Sequence, residues 1–435
     1  MSKLRLVLCA LVAMAFATGL AACGSDDEEG GSTTADITGG EETLDLVIGD
    51  SLPLSGGLSD FGPAGEKAAD IANDEINSAI EEAGVDHTVS VVHEDNCGGD
   101  DQQCAVQAAR KLVDSEGASC IAGAWASADT IPTAESVAIP DEVVLVSPAS
   151  TSDEITGLDD DGLVNRTSPP DSFQGPTLAN AMDEELGGAE GKTVNIGARN
   201  DAYGTGLVDT FSAAWEELGG EIGEEVVYDI KLPNYDTEAE QLTSGNPDAT
   251  VIFDFPETYN KVGPALVRAG FDPNTTFFTD GLISGELAET AGEDAVEGVR
   301  GTAPGVPDDD TSATAFADLF AQSEPKDVET ATFDAQNFDA VVLCYLAAVA
   351  AGSTEGADMA EVIQTVSAPP GDEYTWEELP DAIEALQNGD DIDYTGASGA
   401  IDMDSAGDAT GGVYDFFEFT DGAPEPIDEF EVITD

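Results

Sequence analysis

From Leu44 onward the chain alternates short apolar runs with segments of helical spacing, and this rhythm starts twice. Residues 44–49 read as a strand. Residues 63–83 then carry Ala68, Ile71, Ala72, Ile76, Ala79 and Ile80 at helical spacing. Residues 88–92 alternate as a strand, and 104–113 set Ala105, Ala108, Leu112 and Val113 along one side of a helix. Residues 119–122 and 143–146 are short apolar strands. After Asn165 the order resumes, with strands at 193–198, 226–230, 250–254 and 276–279 and helices at 206–218 and 259–269. Repeated strand–helix units need parallel strands, with crossover helices covering both faces of the sheet. The expected class is α/β, with two doubly wound parallel-sheet lobes. The tail departs from this pattern. It offers helices at 332–350 and 359–366, a turn-rich stretch at 399–408 and an alternating strand at 414–419. No repeat of 20–50 residues is present, which excludes a solenoid or a propeller.

Ahead of this body, Lys3 and Arg5 precede an apolar run at 6–16 that is too short to span a bilayer. Leu20-Ala21-Ala22-Cys23 follows. This is a secretory signal with the cleavage box of a bacterial lipoprotein; the alternative is an ordinary signal with a chance cysteine. Cleavage before Cys23 frees its thiol to carry a lipid. Residues 1–22 are therefore expected to be a lipoprotein signal peptide. Residues 23–42 are expected to be the lipidated cysteine and a disordered acidic linker, because 24–42 hold almost nothing apolar to bury. The protein is then extracytoplasmic, lipid-anchored to the outer face of the cell membrane. The remainder, from about residue 43 to 435, exceeds the usual size of one core and implies two lobes. The apolar stretch 340–351 fits a buried helix rather than a membrane span.

Ninety acidic residues face thirteen Lys and Arg, for a net charge of −77. Nucleic acid and anionic membrane surfaces select basic patches and are poor partners for this chain; no nucleic-acid partner is expected. At molar salt the Debye length falls to about 3 Å and the self-repulsion is screened. Two readings follow: a saline habitat with salt-dependent stability, or a lineage with acidic exported proteins. A melting temperature that climbs steeply with salt supports the first; a flat response supports the second.

Cys97, Cys104, Cys120 and Cys344 remain outside the leader and anchor, and four cysteines allow three pairings. Cys97 and Cys104 are close in sequence across an Asp/Gly-rich turn, which favours that bond. Cys120 and Cys344 lie in apolar surroundings and either pair or stay as buried thiols. A metal site is the weaker reading, with only His87 and His93 and no C-x-x-C. Enzyme signatures are absent as well: no G-x-S-x-G, no P-loop, no G-x-G-x-x-G after a strand. The stretch from Asp402 to Gly407 starts like a calcium loop, but Ala406 holds the fifth position and Val413 the twelfth, so a turn between strands fits better.

Small polar residues follow two strands directly. Ala124-Trp125-Ala126-Ser127 comes after 120–123, and Ser147-Pro148-Ala149-Ser150-Thr151 after 143–146. In open parallel sheets ligands bind beyond the carboxyl ends of the strands, where helix-start N–H groups attract an anion. Ser127 and Thr151 add hydroxyls there. Each alone reads as a helix N-cap; two in consecutive turns point to a shared site.

With those turns in view, Gly49-Asp50-Ser51-Leu52-Pro53-Leu54-Ser55-Gly56 and Phe61-Gly62 resemble the opening of periplasmic type I binding proteins of the leucine/isoleucine/valine class. His93-Glu94-Asp95-Asn96-Cys97 resembles that family's acidic strand end. The 147–151 turn with Glu154-Ile155-Thr156 resembles its second ligand turn. Arg166-Thr167 with Asp171-Ser172-Phe173-Gln174-Gly175 resembles its lobe crossing, Tyr203-Gly204 its third ligand position and 399–408 its late turn. The order and spacing of these motifs cover residues 44–419.

The resemblance implies that a ligand α-carboxylate meets Ser127 and Thr151, and that the Ala149 carbonyl and Asp280 take the ammonium. Asp280 stands where leucine-class receptors have Glu, one methylene longer. Tyr203 and Phe255 would cover the ligand, and Phe61 and Trp125 would line its side-chain pocket; as isolated residues Phe61, Trp125 and Phe255 read equally as core aromatics. The family often bonds the Cys97 position to the Ser127 loop. Here that partner position is Ala126, which sends the bond elsewhere, to Cys104.

The implied architecture is a three-crossing hinge near 167–171, 302–306 and 399–411. It joins a first lobe of residues 43–167 and 304–400 to a second of 168–303 and 401–435. The implied function is the substrate-binding lipoprotein of an ABC importer, not an enzyme. It is expected to be monomeric, without cofactor or metal, and to take a branched-chain or other apolar amino acid from solution to ABC permease subunits. The alternatives are an amide, a urea-like solute or an aromatic acid as ligand, or a sensing domain uncoupled from transport.

Overall fold

The computed structural model describes residues 5–8, 37, 43–306 and 310–433. Cys23, and the linker apart from Ile37, lie outside the described residues, so the expected anchor is not among them.

The first lobe is built on a five-stranded sheet in the order His87–Asp95, Leu44–Leu52, Cys120–Ala122, Val144–Ser147, Val164–Arg166. Every neighbouring pair is parallel. The short central strands read as unbroken apolar runs because both of their faces are covered. Cys120, Ala122, Val144 and Val146 enter one core with helices Gly62–Ala83 and Asp334–Ala351. The intervening Ile121 and Leu145 enter another, with Ala109, Leu112 and Val137. Helix Asp334–Ala351 is buried at every position from Asp334 to Ala350, which is why its sequence is almost wholly apolar from Ala340 onward.

The second lobe carries an eight-stranded sheet. Strands Glu221–Tyr228, Thr193–Arg199, Ala249–Phe253, Thr276–Phe278 and Arg300–Gly305 run parallel in that order. Gly411–Thr420 then adds antiparallel to Arg300–Gly305, and Ala423–Ile433 antiparallel to Gly411–Thr420. This sheet is therefore mixed rather than wholly parallel, because a tight turn at Asp421-Gly422 leaves no room for a crossover helix. Arg5–Leu8 forms the last edge strand, parallel to residues 430–433. It falls in the segment read as a leader and is the part of the sheet that cleavage before Cys23 would remove.

Among the pieces that sequence periodicity misses or reads only in part, three are instructive. Helix Asp171–Leu186 contains Pro176 and has a weakly segregated apolar face. Strand Glu221–Tyr228 begins with five residues of which none is buried, so it shows no alternation until Val226. A small sheet of Asp372–Thr375, Ile392–Gly396 and Gly399–Ala400 flanks the first lobe. The stretch expected as one helix at 359–366 is two, Gly356–Ala360 and Ile363–Val366. The chain leaves the five-stranded sheet after Arg166, leaves the eight-stranded sheet after Gly305 for the helices and small sheet of the first lobe, and rejoins the eight-stranded sheet at Gly411. Among the described residues no helix is long and apolar enough to cross a membrane.

Both cysteine pairs are bonded, Cys97 to Cys104 and Cys120 to Cys344. The second ties a central strand to the buried helix across a sequence separation of 224, against 7 for the first. Loop-closure entropy then assigns about 5 kcal/mol to Cys120–Cys344 and about 2.5 kcal/mol to Cys97–Cys104. Cys344→Ser with Cys120→Ser is expected to lower the denaturation midpoint about twice as far as Cys97→Ser with Cys104→Ser, read by urea unfolding.

Candidate functional site

The ends of strands from both lobes meet around one small cavity. Leu58, Phe61, Trp125, Ala126, Ser127 and Ala149 line it from the first lobe. Tyr203, Phe255, Asp280 and Gly281 line it from the second, and Phe333 from the segment leading into helix Asp334–Ala351. Seven of the eight residues expected from the sequence are on this wall. Thr151 is not, although it is buried close behind it.

The two first-lobe turns are braced against each other. The Ala124 carbonyl accepts hydrogen bonds from Thr130 Oγ1 at 3.1 Å, from Ser150 Oγ at 3.3 Å and from Ser147 Oγ. Ser150 Oγ also donates to the Trp125 carbonyl at 3.0 Å. The Ser152 N–H donates to Ser127 Oγ at 3.2 Å. Neither Ser127 nor Thr151 is a helix cap. Ala126 holds the cap position of helix Ser127–Thr133, and the chain beyond Thr151 continues in turns without a helix. The expectation of two helix starts therefore holds for the first turn only.

A buried ion pair fixes the second turn. Arg166 Nε donates to Asp408 Oδ1 at 2.7 Å, and its Nη1 reaches the carbonyls of Ser150 and Ser152 at 3.2 and 3.0 Å. Thr156 Oγ1 accepts from Arg166 Nη2 at 2.8 Å and donates to Asp408 Oδ2 at 2.6 Å. The carbonyls on both sides of Thr151 are thus held by one guanidinium. The Asp408 turn shows no cation cage: Asp404 Oδ1 accepts from the N–H groups of Ala406 and Asp408. Among the described residues no group of three His, Cys, Asp or Glu could hold a metal ion.

The second lobe supplies charge. Asp280, 2% exposed, accepts from the Tyr203 hydroxyl at 3.0 Å. The same hydroxyl contacts Thr279 Oγ1 at 2.9 Å and accepts from the Gly281 N–H at 3.1 Å. Glycine is required at 281, because a Cβ would lie 2.5 Å from the Asp254 carbonyl and 2.8 Å from the Tyr203 hydroxyl. Burial pushes the Asp280 carboxyl up to about 6, with Gln174 and Tyr203 partly offsetting it. Among the described residues its hydrogen-bonding neighbours are neutral and no cation is paired with the carboxylate at the cavity wall.

Aromatic rings form the rest. Trp125 meets Phe333 edge-on at 6.3 Å, and Tyr203 lies against Phe255 at 4.8 Å. The Trp125 Nε1 is buried without a partner. Thr151 and Asp171 are fully buried beside each other. Burial holds the Asp171 carboxyl well above the usual range, with nearby Thr151 offsetting and the charges of Asp153 and Asp280 adding to the rise. Sequence reasoning passed over Asp171, which it read only as part of the lobe crossing. It also passed over Leu58, Ala126, Gly281 and Phe333. Only the Asp280-Gly281 pair carried a signal, a glycine directly after an acidic strand end.

A family model described as periplasmic binding protein matches residues 45–423. The chain belongs to this family. Its members are extracytoplasmic solute-binding proteins, not enzymes, and the chain is an α/β substrate-binding protein of the ABC-transporter type. It is 29% identical to the Leu/Ile/Val-binding protein BraC3 of Rhizobium johnstonii over 359 residues, 81% of this chain and 90% of that one. It is 26% identical over 375 residues to the chemotactic signal transduction system substrate-binding protein BasB of Halobacterium salinarum, 83% of this chain and 84% of that one. The crystal structure of the leucine-binding protein LivK of Thermotoga maritima superposes with a TM-score of 0.71 at 26% identity, covering 89% of this chain and 99% of that one.

Proposed function

We propose that this periplasmic binding protein is the lipid-anchored receptor of an ABC importer and captures an apolar amino acid between its lobes. The observation that carries the reading is Asp280, a buried carboxylate set without a protein cation at the edge of an aromatic cavity. A ligand ammonium supplies that cation; otherwise the burial of the charge is uncompensated. The ligand carboxylate then faces the Ser127 and Thr151 turns, and the Ala149 carbonyl shares the ammonium. Phe61, Trp125, Tyr203 and Phe255 surround the side chain. Residues 43–167 with 304–400, and 168–303 with 401–435, act as the two bodies that close over it by hinge bending. Cys23 carries the lipid, the acidic linker gives slack, and the monomer stays close to its permease subunits.

Sensing rather than transport is the second reading, favoured by the likeness to the chemotactic protein of Halobacterium. Ligand chemistry is the same in both. A thermal-shift panel of amino acids, amides and aromatic acids at low and molar salt tests the reading, since a ligand that binds only the folded state raises the melting temperature. L-leucine, L-isoleucine, L-valine or another apolar amino acid is expected to give the largest rise. A rise with benzoate and none with any amino acid would overturn it.

A further inference from the structure

Arg199 ends strand Thr193–Arg199 of the second lobe and is fully buried, yet it reaches across the cleft. Its Nη2 donates to the Gly99 carbonyl of the first lobe at 3.3 Å. The Gly99 N–H donates in turn to Asp129 Oδ2 at 2.7 Å. One glycine residue thus relays a second-lobe cation to a first-lobe carboxylate. Glycine is required there: φ is +86°, and a Cβ would lie 3.1 Å from both Ala126 Cβ and the Phe255 ring. The loop that presents it is closed by the Cys97–Cys104 disulfide.

The guanidinium also lies 3.6 Å over the ring of Phe255, whose other contacts include the ligand cavity and Tyr203. Asp201 holds its Nε side. Nη1 of Arg199 and Oδ1 of Asp129 are both buried and unpartnered. Acidic groups crowd the cluster: Asp100, Asp129, Asp201 and Asp254 all interact with this arginine. Closure also sets Asp100 beside Glu257 of the other lobe. Burial and that glutamate push the Asp100 carboxyl up to about 7, and burial does the same to Asp129. A seam with this many carboxylates closes only around a cation.

We propose that Arg199 is an interlobe latch: seated on the Gly99–Asp129 relay it holds the cleft closed and, through Phe255, sets one wall of the ligand cavity. Arg199 is a positioning residue, since it acts through Phe255 and the closure equilibrium rather than by touching the cavity. The inference rests on the reading of a cleft that closes, but its test needs no ligand.

Small-angle X-ray scattering of the ligand-free full chain compares wild type, Arg199→Met, Asp129→Asn and the double variant. Each single variant is expected to have a larger radius of gyration than wild type, and the double variant no larger than the more open single. Merely structural roles would give additive expansion or none. Additive effects, or two single variants that scatter as wild type does, overturn the latch. If Arg199→Met fails to fold, the near-isosteric Asp129→Asn alone decides: expansion supports the latch and wild-type scattering overturns it. Failure of the amino-acid reading shows separately, as a wild type whose melting temperature no amino acid raises.

Discussion

Asp280→Ala is expected to weaken binding of the best amino acid from the thermal-shift panel by two to three orders of magnitude, while leaving the fold intact. Removing one side of a buried, hydrogen-bonded charge pair costs about 2–5 kcal/mol, and about 1.4 kcal/mol is a factor of ten. Calorimetric titration reads the loss directly. The fold is spared because the folded protein holds this carboxylate at a cost: burial lifts it to about 6. That value also fixes a pH dependence. The ammonium pairs with the ionised carboxylate, so affinity falls as the pH drops below about 6 and is flat above it until the ligand ammonium itself deprotonates. The fall approaches tenfold per unit where protonation of Asp280 is the only linked event. The Asp280→Ala variant is expected to lose this slope together with its affinity. Tight binding that is retained in the variant would show that the cavity wall has been assigned to the wrong residue.

Asp408→Ala is expected to lower stability by about 3–5 kcal/mol, because it leaves Arg166 charged and buried without its carboxylate partner. Arg166 has no exposed surface, and Asp408 is 7% exposed. The same guanidinium holds the carbonyls of Ser150 and Ser152, so the loss reaches the second ligand turn as well as the global fold. Urea unfolding is expected to show the lower midpoint, and calorimetry a weaker ligand complex in the protein that remains folded. Replacing both partners by apolar residues, Arg166→Met with Asp408→Leu, is expected to restore much of the stability but not the affinity. An apolar pair removes the uncompensated charge without rebuilding the turn.

The lobes were legible because their strands announce themselves. Ile121 and Leu145 are flanked by apolar neighbours that pack on the opposite face, and such runs occur where a sheet is covered on both sides. Helix Asp171–Leu186 was not legible, since Pro176 and a mixed face erase the helical period. The antiparallel hairpin at the sheet edge was half legible: the alternation at 414–419 was plain, but Ala423–Ile433 carries Pro424, Pro426 and four acidic residues. In the site, Ser127 and Thr151 stood out as small polar residues after strands, of which only Ser127 lies on the cavity wall, and the resemblance supplied Ala149 and Asp280. The network behind them was hidden. Arg166 and Asp408 are 242 positions apart, and Arg199 and Gly99 are 100 apart, so no local pattern joins them. Asp171 was hidden for a different reason. In a chain with 90 acidic residues, one buried carboxylate looks like all the others until its surroundings are known.

The central claim is that the cavity between the lobes is a zwitterion site with Asp280 at its ammonium end. A crystal structure of the protein grown with the amino acid that gives the largest thermal shift tests this most directly. The account predicts the ligand nitrogen at about 3 Å from an Asp280 carboxylate oxygen and from the Ala149 carbonyl. It also predicts the ligand carboxylate on the Ser127 and Thr151 turns, and the side chain among Phe61, Trp125, Tyr203 and Phe255. A ligand bound with its carboxylate toward Asp280, or bound outside this cavity, would contradict it.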